Sequence, residues 1–251
     1  MQITDHMKMA DLIHLDYLLL QILSRFNIKL GCGDKTISQV CKENRIDVHF
    51  FLEIVNSFHD KNYFPKKQLQ GFPLSLIIDY LRNSHEHYLK VKLPYIEGLI
   101  QQLLLDSYGR NTELYELINR FFTEYKTELE DHIAREEEKT YPYVFAVEKV
   151  FRSRKATGDA LQMIRRYSME AFEHEHDNVE DKLFDLKNLI IKYIPPPANT
   201  HLCHTILTEL FRLESDLNDH ARIEEKVLVP KVKYMEKWIH DHVLSENTAR
   251  Q

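Results

Sequence analysis

The chain has 251 residues and carries 33 lysines and arginines against 39 aspartates and glutamates, for a formal net charge of −6. That length suffices for a substantial core in one large or two modest domains, and charge spread along the chain with no basic cluster argues against a nucleic-acid partner. Three cysteines, Cys32, Cys41 and Cys203, make no disulfide framework, no opening apolar run has the length of a signal or membrane span, and the expected location is the cytoplasm.

Six glycines and few strand-like runs point to an all-α class. Residues 1–64 read as a small helical domain: an apolar stretch over 12–26, a turn at Gly31-Cys32-Gly33-Asp34, and helices over 36–43 and 48–58. A helix-turn-helix reading is weak, because the candidate second helix carries only Lys42, offset by Glu43. Pro65-Lys66-Lys67 and Gly71-Phe72-Pro73 mark a linker over 65–73. A bundle is expected over 74–242, followed by a tail over 243–251. Its first helix covers 74–106 and stops before Gly109. The second is capped near Asn111 and runs past His132 into a turn at Tyr141-Pro142-Tyr143. The third follows Gly158 and ends before Pro195-Pro196-Pro197, which cannot continue a helix. The fourth starts at Asn199 or Thr200 and reaches Trp238. Short connections make successive helices antiparallel neighbours, so the two halves form an internal repeat.

The pattern His-x3-Glu-Glu-x4-Pro occurs twice, from His132 to Pro142 and from His220 to Pro230. Residues four apart share a helix face, so His132 with Glu136, and His220 with Glu224, each present a nitrogen and a carboxylate to one point. A single such pair arises often by chance on a solvated face, but here register decides. Ile206, Leu210, Leu213, Leu217, His220, Glu224 and Val227 form one stripe, and Ile118, Tyr125, Leu129, His132 and Glu136 form another. A carboxylate on an apolar stripe is costly unless paired or bound to a metal. Two further stripes include histidines: Leu74, Ile78, Leu81, His85 and Tyr88, and Phe172, His176, Val179, Leu183, Leu186 and Ile190. Each of these histidines sits in a His-Glu-His triplet. Stripe continuity favours His85 and His176, with His87 and His174 as the alternatives. Four histidines on four helices, two of them with carboxylates, suit a dinuclear metal site in a four-helix bundle. Glu137 and Glu225 are expected to face solvent or a neighbouring helix. Tyr88, Tyr125 and Tyr167 lie near the expected core, chiefly as packing.

Together these motifs resemble the RIC (repair of iron centres) family of hemerythrin-like proteins, over almost the whole chain. The repeated His-x3-Glu-Glu-x4-Pro, Glu175-His176-Asp177 and the triple proline fall where that family has them. The segment from Arg25 to Thr36 is similar to its small N-terminal domain, except that Gly31 replaces the first of two adjacent cysteines and Asp34 the second glycine. The resemblance implies a hemerythrin-like up-down four-helix bundle with a small helical N-terminal domain. It also implies two Fe ions in a non-haem di-iron centre held by His85, His132, Glu136, His176, His220 and Glu224, with both glutamates bridging. A thiolate-free set of imidazoles and carboxylates suits iron, manganese or zinc. About four protein bonds per metal fall short of six, leaving positions open for water, a bridging oxo group, O2 or NO. The implied function is repair of iron-sulfur clusters damaged by nitrosative or oxidative stress, by donation of iron, in a stress-response protein, with a non-enzymatic role favoured over an NO- or peroxide-reducing oxidoreductase. The implied partners are damaged iron-sulfur proteins or cluster-assembly proteins, with no nucleic acid and no membrane, and the protein is a monomer or dimer. The alternatives are a di-iron redox enzyme acting on NO or peroxide, and an O2 or NO sensor. Cys41 and Cys203 lie among apolar neighbours as inert thiols. Cys32, between two glycines, is the one with even odds of a functional thiol.

Overall fold

Helix starts follow their capping residues. In the computed structural model, which describes residues 2–108, 112–155, 158–175 and 179–244, Thr36 and Gln39 form a reciprocal capping box at the start of α3 (Ile37–Glu43). Asp47 accepts the Phe50 N–H at the start of α4 (Val48–His59), satisfying a donor that has no intrahelical partner. These join α1 (Met9–Leu15) and α2 (Leu20–Arg25) in the first of two compact units, which comprises Met1–Ser84 and Glu225–Lys231. Its core contains Met9, Leu12, Ile22, Ile37, Phe51 and Ile54. The expected turn is present: Gly31 and Gly33 adopt φ of +92° and +59°, a region that favours glycine. The N-terminal strand of chain is tied down by Asn56, which accepts from the Ile3 N–H and donates to the Ile3 carbonyl. Arg25 is buried, donating through Nη1 to the Tyr80 hydroxyl at 3.1 Å.

Residues 65–73, expected as a linker, contain a helical turn, α5 (Lys66–Gly71). Leu69 is fully buried, and Lys231 donates to the carbonyls of Gln70 and Phe72. Those tertiary contacts, invisible in a proline- and glycine-flanked string, order the segment.

The second unit comprises His85–Glu224 and Val232–Gln251. Four helices form a ring: α7 (Leu93–Tyr108) packs on α8 (Glu113–Arg135), α8 on α12 (Val179–Lys192), α12 on α13 (Thr200–Ile223), and α13 back on α7. Sequential neighbours in a closed ring are the arrangement of a four-helix bundle. One core runs through it, with Ile96, Ile100 and Leu104 from α7, Phe122, Tyr125 and Leu129 from α8, Leu183 and Leu186 from α12, and Leu210, Leu213 and Leu217 from α13. Asn199 caps α13, accepting from the Leu202 N–H. Thr112 caps α8, accepting from the Tyr115 N–H, while the expected cap Asn111 lies outside the described residues. No strand occurs among the described residues; Lys8 and Thr36 form an isolated bridge.

Two helices depart from expectation. The third is interrupted at Tyr167 and Ser168, between α10 (Gly158–Arg166) and α11 (Met169–Glu175). Ser168 caps α11 by accepting from the Ala171 N–H, a local bond that competes with helix continuation. The turn expected at Pro142 does not occur, because the chain stays helical through α9 (Tyr141–Ser153). The reason is a π-helical turn over Glu136–Thr140, closed by the Tyr141 N–H to the Glu136 carbonyl. Proline in a regular helix clashes with the carbonyl four residues back and lacks a donor. A wider turn just before it relieves that clash, and proline stands where the ladder changes register. The same relation recurs at Tyr88–Lys92 before Pro94 and at Glu224–Leu228 before α14 (Val229–Ile239) with Pro230. In all three cases proline follows the first residue of the wide turn by six positions.

Between α7 and α13, Glu209 is buried and accepts from Lys92 Nζ at 2.9 Å and Arg212 Nη1 at 2.7 Å. Burial alone would raise its pKa, but the two cations outweigh it and hold the carboxyl below its ordinary value. A depressed carboxylate contributes stability that is present above the unfolded value of about 4.3 and lost as pH falls through the folded value. Glu209→Gln is therefore expected to destabilise the protein by roughly 1–3 kcal/mol near pH 7. Urea unfolding of both proteins at pH 7 and pH 3 checks it, since the gap between them should shrink at the lower pH.

Candidate metal centre

The four-residue spacing in each motif is realised on an α-helical turn, and the glutamate of each begins a π-helical turn. His132 lies in the last turn of α8, with Glu136 opening the wide turn that follows, and His220 lies in the last turn of α13, with Glu224 opening its own. His85 comes from the end of α6 (Leu74–His87). The apolar stripes place all of them inward: His85, Glu136, His220 and Glu224 are at most 5% exposed.

His85 Nε2 lies 3.1 Å from His220 Nε2 and 3.1 Å from Glu136 Oε2. His220 Nε2 is 3.4 Å from Glu224 Oε1, and one ligand atom from each of these four residues lies within 4.8 Å of every other. The second oxygen of Glu136 faces another imidazole, with His132 Nε2 at 3.2 Å from Oε1. A single carboxylate thus stands between His85 and His220 on one side and His132 on the other. His87 is half-buried and His174 exposed, and neither joins the cluster, so His85 is the inward member of its triplet. His176 lies outside the described residues.

These atoms fit a metal. Both Glu136 oxygens are buried and accept no aligned hydrogen bond, although imidazole nitrogens approach at 3.1 and 3.2 Å. Buried carboxylates are costly unless paired or bound to cations. Two Nε2 atoms aimed at each other at hydrogen-bond distance share at most one proton between them, and lone pairs converging on one point suit a cation. The imidazoles and carboxylates of the cluster shift one another's affinity for protons. Burial lowers the affinity of His85 for a proton, but Glu136, Glu137 and Glu224 outweigh it and raise its pKa to about 9. Burial and Glu224 push Glu136 up, yet His132 and His85 prevail and hold it below its ordinary value.

Two contributors were not legible in the motif. The Tyr141 ring stacks on His85, centroids 5.7 Å apart and planes at 4°, and its hydroxyl donates to Glu224 Oε1 at 3.1 Å. Burial, and then the surrounding carboxylates, raise its pKa well above the ordinary tyrosine value, so it stays a donor. A comparison of the two motif copies does hold the signal, since the residue before proline is Tyr141 in one and Val229 in the other. The second is Glu137, expected toward solvent or a neighbouring helix. It reaches His85 on a neighbouring helix, Oε1 to Nδ1 at 2.9 Å. Of the aromatic residues expected near the core, Tyr88 sets its edge against the His220 ring, 5.8 Å away, and Tyr125 is fully buried in the bundle core. Tyr167 instead packs on Tyr143.

Cys41 and Cys203 are buried, and burial pushes the Cys41 thiol up to about 12 and raises that of Cys203, as inert thiols require. Among the described residues no helix is long and apolar enough to cross a membrane.

Comparison with known proteins places these residues in a family. The chain is 20% identical to the iron-sulfur cluster repair protein ScdA of Staphylococcus haemolyticus (strain JCSC1435), over 84% of this chain and 90% of that protein. It is 22% identical to the iron-sulfur cluster repair protein YtfE of Shigella boydii serotype 4 (strain Sb227), over 84% of this chain and 89% of that one. The model of the hemerythrin HHE cation binding domain matches residues 76–232, a span that contains both motif copies, His85 and the proline after each wide turn. The chain therefore belongs to the hemerythrin HHE cation-binding domain family.

Proposed function

We propose that this protein holds two iron ions through His85, His132, Glu136, His176, His220 and Glu224, and that it repairs damaged iron-sulfur clusters by donating iron. The observation that carries the reading is the buried cluster of His85, Glu136, His220 and Glu224, with His132 on the far oxygen of Glu136. That chemistry matches the names of relatives aligned over most of the chain. Nitrogen and oxygen donors without thiolate suit iron in both common oxidation states. Iron held by these residues would supply redox chemistry, and it is also the cargo to be delivered.

The protein's own residues account for the rest. Glu136 is shared between two groups of imidazoles, so a change in its binding mode is felt on both sides. Tyr141 anchors one oxygen of Glu224 and limits how far that carboxylate swings. We place the protein in the cytoplasm, with damaged iron-sulfur proteins as its clients.

The test uses the full chain loaded with ferrous iron and an iron-sulfur enzyme whose cluster has been damaged by NO. Reactivation in proportion to iron transferred is expected, with apo protein inactive. Failure to reactivate while free ferrous iron succeeds under matched conditions sinks iron donation. Catalytic consumption of NO by the loaded protein with a chemical reductant would favour a redox enzyme in its place.

A further inference from the structure

We infer that Glu137 is a positioning residue, which holds His85 in its metal-binding orientation and sets how firmly the His85 and His220 side of the site retains metal. The inference rests on the metal reading above and concerns a residue outside its ligand set. Glu137 Oε1 lies 2.9 Å from His85 Nδ1, while the other ring nitrogen, Nε2, is the one aimed at His220 and Glu136. An imidazole that donates Nδ1–H to a carboxylate is fixed in the tautomer whose Nε2 carries the lone pair, and the carboxylate makes that nitrogen a stronger donor to metal. Among the described residues the neighbouring His220 has no such support, since its buried Nδ1 meets no hydrogen-bond acceptor. The second copy of the motif has the same two glutamates, yet Glu225, the counterpart of Glu137, is exposed. Among the described residues, Glu137 touches a histidine and Glu225 does not.

The side chain of Glu137 is 30% exposed, against 4% for His85. It is thus the point at which solvent reaches a group touching the buried cluster. Without this hydrogen bond the His85 ring, still packed against Tyr141, loses the acceptor that fixes its tautomer, which weakens the donor on the His85 and His220 side of the site. Carboxylates in this role typically change metal affinity by about 10–100-fold. Retention of iron by this side is set by Glu137.

The experiment loads wild type, Glu137→Ala, Glu137→Gln and Glu225→Ala with ferrous iron and follows capture by a coloured chelator. Cobalt(II) substitution reports coordination by its visible spectrum, and melting of each apo protein reports the fold. Glu137→Ala is expected to release iron about 10–100-fold faster with an altered cobalt spectrum. Glu137→Gln should be intermediate, because its amide oxygen still accepts the Nδ1–H. Glu225→Ala should match wild type, and the apo melting temperatures should agree. Wild-type release from Glu137→Ala, equal acceleration in Glu225→Ala, or acceleration that tracks a lowered apo melting temperature overturns the inference while leaving the metal reading intact. A wild-type protein that takes up no metal overturns both.

Discussion

Glu136→Ala is expected to abolish metal loading while leaving the helical bundle in place. Glu136 is the one described residue that faces imidazoles on both sides, His85 through Oε2 and His132 through Oε1. In the metal centre proposed above, its removal would strip an oxygen ligand from each side at once. Residues that merely support a metal ligand change affinity by about 10–100-fold, and a shared ligand should exceed that range. Glu224→Ala removes a carboxylate from the same cluster and also an acceptor of the Tyr141 hydroxyl, so it should lose metal and lower apo stability slightly more. The apo form of Glu136→Ala should keep its helicity. The substitution removes a buried charge that Glu224 disfavours, and this offsets part of the attraction to His85 that disappears with the carboxylate. Metal per chain by elemental analysis, beside far-ultraviolet circular dichroism, checks both. Full iron content in Glu136→Ala would remove the basis of the metal centre.

Leu213→Ala should produce the largest loss of stability among simple core truncations near the site. Leu213 is fully buried on α13, two turns before His220, and belongs to the core that all four helices of the ring share. Leucine-to-alanine changes at such positions cost about 2–5 kcal/mol, the lost transfer energy plus that of the cavity. For a chain of this size each kcal/mol lowers Tm by about 2–4 °C, so a drop on the order of 10 °C is expected. Ile191→Ala, on α12 where the side chain is more than half exposed, should stay within about 0.5 kcal/mol. Thermal unfolding of the apo proteins separates the two. Metal loading of Leu213→Ala at low temperature should persist, because the truncation removes packing and no ligand. Similar melting of both variants would mean that the ring of helices does not share one core.

Local periodicity made much of the bundle legible. The stripe from Ile206 to Val227 is buried along its length, as spacing of three and four residues on one helix requires. The cap at Asn199 was equally readable, because an asparagine side chain and a nearby backbone donor lie within one turn of chain. The inward placement of His85, Glu136, His220 and Glu224 follows from the same stripes. Where the chain had to pass through Pro142, the letters were misleading. Proline reads as a stop in a regular helix, and the widened turn that carries the helix past it depends on hydrogen-bond register rather than residue type.

The amino-acid sequence by itself determined the helical class, the buried face of each bundle helix with described side chains, and the residue types available as ligands, because each depends on interactions within a few turns. Only the tertiary structure decided that His85 meets His220, that one carboxylate lies between them and His132, that Tyr141 reaches Glu224, and that Glu137 reaches His85. Those contacts join residues as many as 135 positions apart. They depend on how far each helix is rotated and shifted against its neighbours, which is set by the packing of whole side-chain layers and not by any local pattern.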